Sequence, residues 1–122
     1  MKESAKLKIT ALKPYVPAKD FELSKRFYAA LGFSMSEGCG GTVDFTLNGY
    51  AFHLQDYYVQ DWANNFMFVI GVEDVHGWHK HAEALLASND FSGMRVKAPE
   101  QVDSSLVLHV WDPSGVLLIF VQ

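Results

Sequence analysis

One pattern occurs twice along this chain, and it restricts the possible folds more than any other feature. A strand candidate leads to an aspartate placed to cap a helix, the helix carries an apolar stripe, and three further strand candidates follow. In the first pass residues 8–16 read as the strand, and Pro14 suggests an edge position or a bulge because proline has no N–H to give a ladder. Asp20 then caps a helix with Leu23, Phe27 and Leu31 as its buried stripe, and Gly32 ends it. Strands are expected at 33–37, 42–47 and 50–55, with Asn48-Gly49 as a two-residue hairpin between the last two. In the second pass the strand is 66–72, the cap is Asp74, and Val75, Trp78, Ala82 and Leu85 form the stripe, closed by Asn89-Asp90. Strands at 94–98, 105–111 and 116–121 complete it, the last two joined by an Asp112-Pro113-Ser114-Gly115 turn. Two tandem βαβββ units make an internal repeat, and the expected class is α+β.

Length confines this repeat to one domain, 1–122, with module one at 7–56, a connector at 57–64 and module two at 65–122. With 49% hydrophobic residues the chain can bury a core. Its net charge is −4 and its ten basic residues are scattered, which speaks against a nucleic-acid surface. No continuous apolar run opens the chain, so neither a signal peptide nor a membrane span is expected, and a cytoplasmic location follows. The one cysteine, Cys39, has no internal disulfide partner, and in Gly38-Cys39-Gly40-Gly41 it reads as part of a turn rather than as a reactive thiol.

The ending Asp112-Pro113-Ser114-Gly115-Val116-Leu117-Leu118-Ile119-Phe120, taken with the segment from Asp20 through Lys25, Arg26, Phe27 and Tyr28 to Gly32-Phe33, resembles the glyoxalase, bleomycin-resistance and extradiol-dioxygenase superfamily, the vicinal-oxygen-chelate fold. The resemblance spans nearly the whole chain. It implies curved mixed sheets with helices outside, paired across a homodimer, with a ligand cavity built where units meet. It also implies where metal ligands would stand: Lys13, Met67, His53 and Ile119. Isoleucine has no donor atom, lysine is a rare ligand and a thioether is soft, so His53 alone is competent, and no metal and no cofactor are expected.

Hairpin geometry fills in the rest of the site. The Asn48-Gly49 turn sets Asp44 opposite His53 and residue 42 opposite Gln55, while a three-residue loop ending at Gly115 sets His109 opposite Ile119 and Trp111 opposite Leu117. Asp44, His53, Gln55 and His109 then converge among Met67, Trp111, Ile119 and Tyr15, as in a mostly apolar pocket with a few polar groups. Each has a plainer reading. His53 and His109 could be hydrogen-bonded structural residues, and Asp44 with His53 a simple cross-strand contact. His76, His79 and His81 read as a solvated helix surface. Trp62, Tyr57 and Tyr58 of the connector either pack the linker or touch ligand, and the connector's polarity favours ligand. No Ser-His-Asp spacing, phosphate loop or H-E-x-x-H is present. The expected function is metal-independent binding of a small aromatic or cationic molecule in a dimer cavity, of the bleomycin-resistance type. The alternative is a glyoxalase- or dioxygenase-type enzyme, or a metal-free lyase or isomerase, using His53 with Asp44 or His109.

Overall fold

The computed structural model describes residues 7–38 and 40–122. Module one contains β1 (Tyr15–Pro17), α1 (Phe21–Leu31), β2 (Ser34–Glu37), β3 (Thr42–Leu47) and β4 (Tyr50–Gln55). A short α2 (Gln60–Asn65) follows, and module two contains β5 (Met67–Gly71), α3 (Val75–Ser88), β6 (Arg95–Val102), β7 (Ser105–Trp111) and β8 (Leu117–Val121). The repeat folds as two separate four-stranded sheets, ordered β1-β4-β3-β2 and β5-β8-β7-β6. In each, the first strand runs parallel to its neighbour and the remaining pairs are antiparallel.

Turn chemistry sets the registers. Asn48 and Gly49 have φ of 53° and 85°, the left-handed pair that suits the twist of a two-residue hairpin. Leu47 therefore faces Tyr50, and Asp44 faces His53. Gly115, at φ 95°, makes the corresponding turn in module two, so Trp111 faces Leu117 and His109 faces Ile119. Helices α1 and α3 start on an aspartate whose side chain accepts a backbone N–H: Asp20 from Leu23 at 3.1 Å and Asp74 from Gly77 at 3.0 Å. Asn89 closes α3 in the left-handed conformation.

Strand alternation sends Phe45, Phe52, Leu54, Leu108, Val110, Leu118 and Phe120 to the helix-covered faces, where they join Phe27, Tyr28, Leu31, Val75 and Ala82 in one core common to both modules. Each fully buried side chain of this size contributes roughly 1.5–3 kcal/mol. Ring contacts bind the modules together: Phe27 meets Phe91 edge-on at 5.7 Å, and Phe52 lies 5.8 Å from Phe68.

Four expectations are corrected. The strand expected at 8–16 begins only at Tyr15; residues before it form no ladder, and Leu7, Ile9 and Leu12 are exposed. Pro14 contributes its carbonyl alone, accepting from the His53 N–H at 2.9 Å. The strand expected at 94–98 runs instead from Arg95 to Val102, because a register shift between Lys97 and Glu100 absorbs Pro99, which has no N–H for the ladder. Part of the connector is helical, with Ala63 of α2 fully buried and the Tyr57 carbonyl accepting from Ala18 N–H. On α1, Leu23 is only half-buried, while Ser24 and Tyr28 are fully buried. Cys39 lies outside the described residues.

Candidate functional site

Val16, Val43, Phe45, Phe52 and Leu54 face the core, so the intervening residues of module one must project from the opposite face of its sheet. That face brings Tyr15, Asp44, His53 and Gln55 together from β1, β3 and β4. Lys13, just before β1, reaches over to it, and its Nζ donates to Asp44 Oδ2 at 2.8 Å. The Nδ1 atom of His53 abuts Asp44 Oδ1. Tyr15 stacks on the imidazole with ring centroids 5.1 Å apart. The Lys13 ammonium, and to a lesser degree His53, hold the Asp44 carboxyl below its ordinary range, against the opposing effect of desolvation. Asp44 is therefore a carboxylate at neutral pH, and it orients the imidazole.

The same alternation in module two places Met67, Val69, Leu117, Ile119, Val107, His109 and Trp111 on the face of its sheet away from the helices. His109 and Trp111 stack with ring centroids 6.0 Å apart, and Arg95 sets its guanidinium 4.3 Å above the Trp111 ring. The Nδ1 atom of His109 is buried without a hydrogen-bond partner. Met67 and Val69, at 55% and 66% exposure, extend the face as an open apolar surface.

The eight expected site residues thus fall into three groups. Asp44, His53 and Gln55 share one sheet face, and Met67, His109, Trp111 and Ile119 share the other. Trp62 stands apart on α2, 62% exposed and leaning on Tyr57 at 6.2 Å. Among the described residues no hydrogen bond or ring contact joins these three groups. Two surface depressions, one bounded by Lys19, Asp20, Asp56 and Pro113 and one by Leu31, Trp78 and His81, include none of the eight.

A buried polar junction between the modules was not anticipated from sequence. The Tyr28 hydroxyl donates to Asp112 Oδ2 at 2.6 Å, and Asp112 Oδ1 accepts from the N–H groups of Ser114 and Val116 at 2.8 and 3.0 Å. Ser114 Oγ lies 3.3 Å from Ser24 Oγ and accepts from Lys19 N–H at 2.9 Å. Burial raises the Asp112 pKa to about 6 despite these donors, and burial followed by the neighbouring carboxylate raises that of Tyr28 well above 10. The one signal in the sequence is Asp112 itself, whose place in the Asp112-Pro113-Ser114-Gly115 turn marks it only as a turn residue.

The residues do not fit a metal. Lys13 offers an ammonium that already engages Asp44, Ile119 offers no donor, and among the described residues no three of His, Cys, Asp and Glu converge.

No family model matches the chain, and no curated protein matches it. Solved structures do. A bleomycin-binding protein complexed with bleomycin superposes with a TM-score of 0.76 at 19% identity, covering 93% of this chain and 98% of its own. The bleomycin-binding protein of the bleomycin producer Streptomyces verticillus, complexed with copper(II)-bleomycin, gives 0.74 at 23% identity, over 93% and 96%. Lactoylglutathione lyase from Agrobacterium tumefaciens gives 0.67 at 18% identity, over 93% and 94%. The fold is that of the glyoxalase and bleomycin-resistance proteins.

Proposed function

We propose that this chain is a metal-independent binding protein that sequesters a small aromatic or cationic molecule in a cavity shared by two copies. The observation that carries this reading is the open face of the second sheet, where Trp111, Ile119, Met67 and Val69 offer apolar surface beside the unsatisfied His109 ring nitrogen. The polar-aromatic face of Tyr15, Asp44, His53 and Gln55 complements it as the other wall, with Trp62 at the rim. The two bleomycin-bound neighbours support sequestration on this fold. The reading places the protein in the cytoplasm, in keeping with its single cysteine. No helix among the described residues is long and apolar enough to cross a membrane.

A thermal-shift screen of aromatic compounds tests this. A ligand at ~100 times its dissociation constant should stabilise the protein by roughly 2.7 kcal/mol. Trp111→Ala should weaken binding of a confirmed hit by roughly 2 kcal/mol, as truncation of a buried aromatic anchor does, while His79→Gln on α3 should leave it unchanged. Equal binding by Trp111→Ala and the parent would reject the placement.

The contact between Asp44 and His53 favours a second reading, an acid–base enzyme of the lyase or isomerase kind. A carboxylate on Nδ1 leaves Nε2 as the proton acceptor. Conversion of a bound hit, lost in both His53→Gln and Asp44→Asn, would establish it; binding without conversion would leave sequestration.

A further inference from the structure

Sequestration leaves the charge of the ligand open, and the second sheet bears on it. Arg95 of β6 and Trp111 of β7 are direct neighbours in the ladder, and the central carbon of the guanidinium sits 4.3 Å from the indole centroid. That contact holds the guanidinium at the open face of the sheet. Arg95 is exposed, and no carboxylate pairs with it among the described residues. A guanidinium fork matches a carboxylate in two parallel hydrogen bonds. Lys97, opposite His109, is already paired with Glu100 at 3.1 Å, so the unspent charge on this rim is the positive one of Arg95, although the whole chain carries −4.

The apolar part of the face gives the rest of the ligand its size. From Arg95 the surface crosses Trp111 and His109 on β7, then Leu117 and Ile119 on β8, then Met67 and Val69 on β5. Strands about 4.8 Å apart put β8 roughly 10 Å from β6, the length of two aromatic rings. His109 Nδ1, buried and unpartnered, faces a shortage that a polar ring substituent or a retained water would fill.

We propose that this face takes a two-ring aromatic carboxylate, its anion on Arg95 and its rings beside Trp111 and over Ile119. The inference rests on the sequestration reading and takes its aromatic rather than its cationic branch.

Calorimetric titration of the full chain with three probes of one shape tests it: 2-naphthoate, 2-naphthylmethanol and 2-naphthylmethylammonium. Naphthoate should bind at least tenfold more tightly than the ammonium probe, with the alcohol between. Arg95→Gln should abolish the advantage of naphthoate over the alcohol and leave the affinity for the alcohol within twofold of the parent. If the ammonium or the alcohol binds as tightly as naphthoate, or Arg95→Gln leaves the ratio intact, Arg95 merely packs on Trp111; the inference falls while sequestration stands. If none of the three binds, both fall.

Discussion

Burying a carboxyl without exposed surface is costly unless its lone pairs are filled, and Asp112 fills its own from Tyr28, Ser114 and Val116. Burial still dominates, so the folded pKa of about 6 exceeds the unfolded value near 3.8. A raised pKa contributes stability that is complete below 3.8 and is lost as the pH climbs through about 6. The loss is on the order of 3 kcal/mol, at about 1.4 kcal/mol per pH unit between those values. Asp112→Asn keeps the shape and has no charge to bury, so urea unfolding at pH 4 and pH 7 should show the parent losing ground to the variant by about that amount. A gap equal at both pH values would reject the account. Asp44, whose pKa is lowered, works in the opposite sense: its contribution is present above the unfolded value and is lost only as the pH falls below it, outside this window. The pairing of Asp44 with His53 was legible in the sequence because a turn two residues long fixes what stands opposite what. The bond from Tyr28 to Asp112 was not, since the partners are 84 residues apart and nothing local marks them.

At the scale of elements, the same contrast between local and distant causes decides what could be read. Helix starts follow from a single side chain: Asp20 and Asp74 satisfy the free N–H groups of Leu23 and Gly77. Asp74→Ala should therefore cost about 1 kcal/mol, measured by chemical denaturation, and Asp74→Asn only a fraction of that. A cost for Asp74→Asn equal to that of Asp74→Ala would show that something other than the cap is lost. Gly77 adds a check on the same cap, since a Cβ there would come within 2.5 Å of Asp74 Oδ2; Gly77→Ala should mimic the loss of the aspartate. Strand limits were harder. Residues before Tyr15 have the alternation of a strand, but β1 is an edge, and alternation cannot reveal how far a neighbouring strand continues to pair. On β6 the register shift between Lys97 and Glu100 accommodates Pro99 and lets pairing resume beyond the expected end at residue 98. The short α2 leaves no signal in the sequence because six residues are too few to display a helical period.

For the whole molecule, the question is what covers the outer faces of the sheets. Purification without chelators should give less than about a tenth of an equivalent of divalent metal, since a three-ligand site would retain more. Near-stoichiometric zinc, iron, nickel or manganese that disappears in His53→Ala would overturn the metal-independent reading. The second face poses the larger problem: Met67, Val69, Leu117 and Ile119 form an apolar surface that one chain leaves to water, whereas the first face is lined by Asp44, His53, Gln55 and Tyr15. A lone chain has no reason to maintain the former, because exposed apolar patches of this kind mark contact sites. A second copy, meeting it through a shared cavity, would bury on the order of 2,000 Å² in total and leave space for ligand between the walls. Sedimentation at micromolar concentration should therefore report a dimer. Val69→Asp, on the exposed face and outside the core, should shift it to monomer with the circular dichroism of the parent, because an unpaired carboxylate in an apolar contact is heavily penalised. A parent that sediments as a monomer removes the shared cavity, and a dimer that survives Val69→Asp moves the interface away from this sheet.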